Sequence, residues 1–211
     1  MTDDDNRAVR RDVARNRQRL LDAGKELFAT RGLDATLDDI ARHAGLGTGT
    51  AYRHFGSRQQ IITAIFTEAE ESLLGDVERC LAVDDPWDGL VMFMNTVAER
   101  QAQDRGLHQM FTGDHGVTLQ LDWGTLFAAI TALVERAKDA SKVRADIEPS
   151  DLIFLFTMMG PAYDISARVS VAIWRRYIDF FLRAIQPTSP PAAIPVPDAL
   201  ATTVMAEILG G

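Results

Sequence analysis

The chain has 211 residues, of which 46% are hydrophobic, and it carries 22 Lys and Arg against 30 Asp and Glu. No apolar run approaches the roughly 20 residues of a membrane span, and the charged N-terminus has no apolar core of a signal peptide. A single cysteine, Cys80, excludes an intramolecular disulfide. We therefore expect a globular, cytoplasmic protein.

Charge is unevenly distributed along the chain. Residues 1–66 carry 11 Lys and Arg against 9 Asp and Glu, whereas residues 67–211 carry 11 against 21. Because only residues 1–66 have an excess of basic groups, we expect nucleic acid to bind this segment and not the acidic residues 67–211. We expect two domains with a boundary near residue 66.

Apolar residues recur with helical spacing through most of the chain, and no convincing alternating strand appears. We therefore predict an all-α fold. Thr36 and Ser57 are expected to cap helix N-termini, Pro86 is expected to occupy a first helical position after Asp85, and Gly45 is expected to end a helix in a left-handed turn. The predicted helices are Leu20 to Gly32, Thr36 to Gly45, Thr48 to Phe55, Ser57 to Leu81, one from Pro86, Leu107–Thr112, Leu119–Ala140, Ser150–Tyr163, Val171–Ile185 and, after a Pro-rich linker at 187–197, Asp198–Leu209.

The stretch GLGTGTAYRHFG at 45–56 has two alternative interpretations. A nucleotide-binding loop needs a strand before the first glycine, or a Gly-Lys-Ser/Thr after the last. Here the preceding residues, LDDIARHA, are helical, and no such lysine follows. The stretch is therefore more typical of the turn and second helix of a helix-turn-helix, while a solvated helix without DNA contact is the other alternative.

The second helix of this motif has a polar outer face. Hydroxyl, phenol and cationic groups point where a core would require Leu or Val, which is typical of a helix that enters the major groove. The face is formed by Thr48, Gly49, Tyr52 and Arg53, with Thr50 and His54 beside it.

The run from Leu20 to Phe66 resembles the N-terminal domain of the tetracycline-repressor (TetR) family of transcriptional regulators. The resemblance is carried by LF-x-x-x-G at 27–32, T-x-x-x-I-A-x-x-A-G at 36–45 and T-x-Y-R-H-F at 50–55. It implies that Thr48, Gly49, Tyr52 and Arg53 face the major groove. It also implies that backbone phosphates are held by Thr36, Thr50, His54 and Arg58.

Three positions depart from the family pattern. Gly47 stands where Ser or Pro is often found, Thr48 where a Lys, Arg or Gln is frequent, and Gly56 where Pro is common. With a short Thr at 48, we expect operator recognition to depend more on thymine methyl groups and DNA shape than on bidentate hydrogen bonds.

Residues 1–15 form a basic N-terminal arm ahead of the match. Arg7, Arg11, Arg15 and Arg19 recur every four residues and would form one stripe on a helix. Two interpretations stay open: a helical extension or arm that reaches a phosphate or the minor groove, and a solvated, partly disordered tail.

Residues 67–211 resemble the family mainly in their overall helical organisation. In the family this part of the chain dimerises and binds a small effector, so the resemblance implies an effector-binding and dimerisation domain. Pieces such as DPWDGL, QDRGL and WRRYIDFFLRAI resemble one subset of TetR-like regulators without naming a ligand. Large apolar side chains predict an effector pocket, with simple core packing as the alternative for each one. The pocket candidates are Met92, Phe93, Met110, Phe111, Trp123, Phe127, Phe156 and Met159, with His108, Asp114, His115 and Asp122 as polar groups at its mouth.

The last two long helices are too apolar for a solvated surface, so we expect them to form a four-helix interface between two subunits. The predicted interface residues are Leu152, Leu155, Ile173, Trp174, Tyr177 and Phe181.

These features predict a homodimeric regulator, most simply a repressor released from a palindromic operator by a small molecule. A DNA-binding regulator without an effector is the alternative. The sequence has no nucleophile elbow, zinc helix, phosphate loop or paired redox cysteines, so we expect neither an enzyme nor a metal or other cofactor.

Overall fold

The computed structural model describes residues 3–112, 123–169 and 173–187, and the regular structure in these ranges is helical. This confirms the predicted all-α fold. No helix within these ranges is long and apolar enough to cross a membrane. The helices are α1 (Asp3–Arg31), α2 (Leu37–His43), α3 (Thr48–Phe55), α4 (Arg58–Leu81), α5 (Pro86–Gln103), α6 (Arg105–Thr112), α7 (Trp123–Asp139), α8 (Pro149–Met158), α9 (Gly160–Val169) and α10 (Trp174–Ala184).

Helices α1 to α3 form a unit that we call the head, and α4 to α10 form the body. α1 is longer than predicted because it begins at Asp3 rather than at Leu20. Residues 3–19 contain no Gly or Pro, and three aspartates at their start oppose the positive end of the helix dipole. The start of α1 at Asp3 agrees with the helical extension, one of the two interpretations that the arginine repeat left open.

The caps predicted for the head are confirmed. The Thr36 hydroxyl accepts a hydrogen bond from Asp39 N at 3.1 Å, and the Asp39 carboxylate accepts one from Thr36 N, which completes a capping box. Gly45 has a φ of +64°, and Leu46 N donates to the carbonyl of Ala41 at 2.9 Å. This left-handed turn ends α2 and sets the direction of α3.

The body is built on α4, which packs against α5 and α7. The predicted cap of α4, Ser57, and the predicted first position of Pro86 in α5 are confirmed, and the Asp85 carboxylate also caps α5 by accepting from Trp87 N at 2.7 Å. The predicted inner face of α5 is buried, and so is Cys80. The buried residues of that face are Leu90, Phe93, Met94 and Val97.

The helix predicted over 150–163 is divided in two. α8 ends at Met158 and α9 runs from Gly160 to Val169, with Pro161 in its first turn. The proline has no N–H to donate to the carbonyl four residues earlier, so the α-helical ladder is interrupted there. Residues 119–122, 171, 172 and 188–211, which include most of the predicted Pro-rich linker and the helix at 198–209, lie outside the described residues.

Arg136 on α7 connects to the end of α4 and the loop after it, a contact that the sequence did not reveal. Its guanidinium donates to the carbonyls of Leu81 at 2.9 Å, Val83 at 2.7 Å and Asp84 at 3.0 Å. Carbonyls at a helix C-terminus have no partner within the helix and carry partial negative charge. Arg136 therefore fixes the turn between α4 and α5.

We expect Arg136→Ala to destabilise the protein by about 2 kcal/mol, because hydrogen bonds from a charged donor are worth about 1.5–3 kcal/mol each and partial exposure reduces that value. For a chain of this length the midpoint of thermal unfolding should fall by about 4–8 °C in calorimetry. Lys142→Ala is the control, since Lys142 makes an exposed 3.7 Å ion pair with Asp85 at the same turn. Equal midpoints for the two variants would contradict this role of Arg136.

Candidate DNA-contacting surface, effector cavity and dimer face

The outer face of α3 carries the predicted groove-facing residues. Ala51 and Phe55 are buried and anchor the helix to the head, whereas Tyr52 is 50% exposed. Thr50 and His54 are half-buried at the flanks. The exposed residues on the outer face are Thr48, Gly49, Tyr52 and Arg53, so the structure brings the four predicted residues together.

The side chain of Arg53 is held along its own helix. Its Nε donates to the carbonyl of Gly49 at 3.1 Å, and Nη2 donates to the Thr50 hydroxyl at 3.2 Å. These contacts restrict the rotamers of a long exposed side chain, so less conformational entropy is lost when the guanidinium binds an acceptor.

The candidate phosphate contacts Thr36 and Arg58 are brought together at the start of α2. Arg58 Nε donates to the carbonyl of Ala35 at 3.1 Å, directly before Thr36. The Thr36 hydroxyl donates to the Asp39 carboxylate at 2.6 Å and is exposed. Arg58 therefore has a structural role in the head besides the phosphate contact predicted for it.

The basic stripe of α1 divides into residues that contact other parts of the head or of α1 and residues that are exposed near its start. Arg19 Nη2 donates to the carbonyl of Ala44 at 2.6 Å, at the end of α2. The guanidinium of Arg17 lies 5.2 Å from the centre of the Phe55 ring, and Arg15 pairs with Asp12 at 2.8 Å. Nearer the start of α1, the exposed arginines are Arg7, Arg10 and Arg11.

The predicted pocket residues mostly pack as core. Phe93 and Phe156 meet edge to face with ring centres 6.1 Å apart, and the rings of Trp123 and Phe127 stack at 5.9 Å. Met159 is also buried.

The position of Met92 differs from the pocket prediction, because its side chain is 41% exposed on the outer face of α5, opposite the apolar core. The side chains of Met110 and Phe111 on α6, and the polar candidates Asp114, His115 and Asp122, lie outside the described part of the molecule.

Two cavities are described in the body and at its junction with the head, and none of the predicted apolar pocket residues lines either of them. The cavity of about 360 Å³ lies between α1, α4, α5 and α6. The cavity of about 320 Å³, which we call the junction cavity, lies between α1, α5, α6 and α9. Its lining residues are Ala29, Thr30, Gln101, Ala102, Gln103, Arg105, His108, Gly160, Tyr163, Asp164, Ala167 and Arg168.

The lining of the junction cavity includes buried polar residues. Gln101 and Tyr163 are buried there, and the predicted mouth residue His108 contributes its ring. Burial lowers the pKa of His108 against the opposing effect of Asp164, and burial raises the pKa of Tyr163. The imidazole is therefore mainly neutral and the phenol protonated at neutral pH.

Sequence reasoning missed Gln101, although it lies four residues after Val97 and eight after Phe93 on the inner stripe of α5. A polar residue on an otherwise apolar stripe was the available signal. Among the described residues, no group of three His, Cys, Asp or Glu side chains is arranged to hold a metal ion.

Helix α6 connects the junction cavity to the head. The side-chain oxygen of Gln109 accepts a hydrogen bond from Leu33 N at 2.6 Å, just after α1. Gly106 lies against Phe28, where an added Cβ would come within 2.9 Å of the Phe28 Cβ. A shift of α6 would therefore be transmitted directly to α1.

The predicted dimer residues separate into buried and exposed groups. Leu152 and Trp174 are buried inside one subunit, which corrects the prediction for these two, and Leu155 and Phe181 pack partly against the same core. Tyr177 is 47% exposed.

Exposed apolar residues instead form two stripes at helical spacing, which we call the α8–α9 stripe and the α10 stripe. Successive members lie three or four residues apart, so the α10 set shares one helix face, and the α8–α9 set consists of one pair on a face of α8 and one pair on a face of α9. The α8–α9 stripe is Phe154, Met158, Pro161 and Ile165, and the α10 stripe is Ile173, Tyr177, Phe180 and Ala184, with Ile173 half-buried.

A helix-turn-helix head with a polar, outward-facing second helix, continuous through α4 with a larger helical body, defines a regulator of the DNA-binding class. The model of the family described as "Bacterial regulatory proteins, tetR family" matches residues 20–65. A second model, "Transcriptional regulator SbtR-like, C-terminal domain", matches residues 85–175. The chain belongs to the TetR family of transcriptional regulators, which agrees with the prediction that it is not an enzyme.

Individual relatives support this assignment over part or most of the chain. An uncharacterised HTH-type transcriptional regulator, TtgW of Pseudomonas putida, is 37% identical over 79 residues, which span 37% of this chain and 59% of that protein. The crystal structure of a TetR regulatory protein from Mycobacterium vanbaalenii is 27% identical, with a TM-score of 0.57 over 84% of this chain and 99% of that one. FadR of Bacillus subtilis, solved with stearoyl-CoA, shares the fold at 14% identity, with a TM-score of 0.61 over 80% and 99% of the two chains.

Proposed function

We propose that this protein is a homodimeric transcriptional repressor that binds a near-palindromic operator and releases it when a small molecule binds the body. The observation that carries the proposal is the exposed polar face of α3, formed by Thr48, Gly49, Tyr52 and Arg53 on the buried base of Ala51 and Phe55. A helix fixed in this way presents hydrogen-bonding groups to base edges without rearranging the head.

Phosphate contacts would position α3 in the groove. Thr36 and Arg58 lie together at the start of α2, and Thr50 and His54 flank the groove-facing residues. Contacts of this kind set the register of a protein on DNA and carry little sequence information. The exposed arginines at the start of α1 extend the same cationic surface.

Dimerisation through the α8–α9 and α10 stripes would place two heads on one face of the DNA. Four helices, two from each subunit, would then bury the exposed apolar side chains of both stripes. The two α3 helices would read half-sites about 34–36 Å apart, or a multiple of that spacing. A dimer bound in this way would exclude other proteins from the same DNA, which is the basis of repression.

Effector release is supported by the position of the junction cavity. The cavity is lined by α1 of the head and by α6, which is hydrogen-bonded to the end of α1 through Gln109. The stearoyl-CoA complex of FadR indicates that this fold can accommodate a small molecule. A ligand that favours one arrangement of α6 would change operator affinity about 5–150-fold, a typical coupling. Because it acts on chromosomal DNA, the protein would be cytoplasmic.

Selection of operator sequences from random duplex DNA by the purified full-length protein tests this function. We expect enrichment of two inverted half-sites, with nuclease protection that covers both and a stoichiometry of two chains or a multiple of two. Enrichment of no sequence, or of a single half-site bound by one chain, would contradict the proposal. A regulator without an effector would bind the same operator but would not release it in a metabolite screen.

A further inference from the structure

We propose that the projecting start of α1 is a second DNA-contacting element, in which Arg10 binds a phosphate of the sugar-phosphate backbone beside the groove that α3 enters. The inference rests on the proposed function, because it places α1 on the same DNA as α3. It adds a contact that does not depend on base sequence, so it can also be measured on unrelated duplex DNA.

The start of α1 projects from the head. The first buried residue of this helix is Leu20, and the side chains from Arg10 to Arg15 are all exposed. α1 begins at Asp3, about 14 residues and roughly 21 Å before Arg17. A helical segment of this length that packs on nothing is only marginally stable in water, so a bound partner would stabilise it.

The exposed turns of α1 are strongly basic. Residues 7–19 contain six arginines and a single aspartate, and that aspartate pairs with Arg15 at 2.8 Å. No acidic residue stands three or four positions from Arg10 or Arg11, so no pair along the helix neutralises either of them. Three aspartates at 3–5 reduce the positive potential of the first turn, which confines the basic surface to the turns nearer the head.

Helical geometry places Arg10 on the side of α1 that faces the end of α3. The guanidinium of Arg17 lies 5.2 Å from the centre of the ring of Phe55, the last residue of α3. Arg10 precedes Arg17 by seven residues, which is close to two turns, so both side chains leave α1 on the same side, about 10 Å apart along the axis. Arg15 stands five positions from Arg10, which rotates it by about 140° to another side.

The neighbouring face of α3 identifies the partner as duplex DNA. Tyr52 and Arg53 are exposed on α3, so DNA bound there would pass beside the end of α3 and the basic turns of α1. Duplex DNA carries one negative charge for about every 1.7 Å of its axis, which brings a row of phosphates past this part of the molecule. A guanidinium binds a phosphate with two parallel hydrogen bonds. The base edges lie inside the groove that α3 occupies, so the backbone is what Arg10 meets outside it.

The test compares Arg10→Gln with the parent protein on the selected operator and on unrelated duplex DNA over a series of salt concentrations. We expect the affinity for both duplexes to fall by about two- to fivefold per bound chain. The slope of log affinity against log salt concentration should become shallower by about one per chain, because one fewer counterion is released. Arg10→Lys keeps the charge and should retain the slope of the parent. An unchanged slope in Arg10→Gln, or a loss confined to the operator, would overturn the proposal.

Arg15→Gln is the matched control, since it makes the same substitution at another exposed position of α1 where Asp12 already compensates the charge. We expect this variant to keep the affinity and the salt slope of the parent. Arg and Gln have similar helix propensities and both positions are exposed, so both variants should unfold at the midpoint of the parent. Equal reductions of the slope in the two variants would contradict the assignment to Arg10, because removal of any positive charge from α1 would then suffice.

Operator selection by the parent distinguishes failure of this inference from failure of the proposed function. A protein that selects an operator, but whose Arg10→Gln variant keeps the slope of the parent, contradicts the inference alone. A protein that selects no operator contradicts the repressor, and a shallower slope of Arg10→Gln on unrelated duplex DNA would then still support the backbone contact.

Discussion

Tyr177→Glu is expected to convert the proposed dimer into monomers and to weaken operator binding by about 100- to 10,000-fold. Tyr177 is 47% exposed at the centre of the α10 stripe, where its ring meets that of Phe180 with centres 6.2 Å apart. In a symmetric interface the substitution places two carboxylates in apolar surroundings, at a cost of several kcal/mol. Residues three and four positions away on α10 are uncharged, and the nearest guanidinium, that of Arg176, is already placed over the Phe180 ring at 4.7 Å.

The loss of DNA binding follows from the loss of the second head. Two tethered half-site contacts gain about 10²–10⁴ in affinity over one, because the second contact is intramolecular. Sedimentation velocity at micromolar concentration measures the first effect, and operator titration at fixed salt measures the second.

Met92→Glu is the matched control for the dimer prediction, because Met92 is a large, exposed apolar side chain that belongs to neither stripe. We expect this variant to remain dimeric and to bind the operator normally. If the Tyr177→Glu variant remained dimeric, the interface would have to lie on another surface. Dissociation of both variants alike would show that the two stripes do not define it.

Tyr52→Ala is expected to weaken specific binding at each half-site by about 1–3 kcal/mol, or roughly 5- to 150-fold per half-site, because its side chain projects from the outer face of α3, where we propose contacts with base edges. Tyr52 is 50% exposed and lies outside the buried base of α3, so the unfolding midpoint should stay unchanged. Titrations with operator and with unrelated duplex at the same salt concentration measure the specific and the non-specific contribution.

Tyr52→Phe separates the two parts of this side chain. It should retain operator affinity if the ring packs against a thymine methyl, and it should lose affinity as the alanine variant does if the hydroxyl donates to a base. Equal losses for operator and unrelated DNA would contradict base recognition by Tyr52 and would assign it to the backbone.

Features that depend on neighbours in sequence could be predicted from the sequence. Thr36 and Ser57 cap α2 and α4 as expected, and Gly45 ends α2 with a positive φ. A cap joins groups three residues apart, so the residues that form it are visible together in the chain. The order of polar and buried positions on α3 was equally local, since Tyr52 and Phe55 are separated by less than one turn.

Local patterns were therefore enough to predict the all-α class, the helix-turn-helix and its outward-facing residues. Which apolar faces of the body are covered depends on the packing of distant helices. Leu152 and Trp174 are buried in one subunit while Met158 and Tyr177 remain exposed, although all four lie on apolar helices. Helical periodicity shows which residues share a face, but the helix that packs on that face comes from a distant part of the chain. For the same reason, the assembly of the junction cavity from α1, α5, α6 and α9 could be seen only in the folded protein.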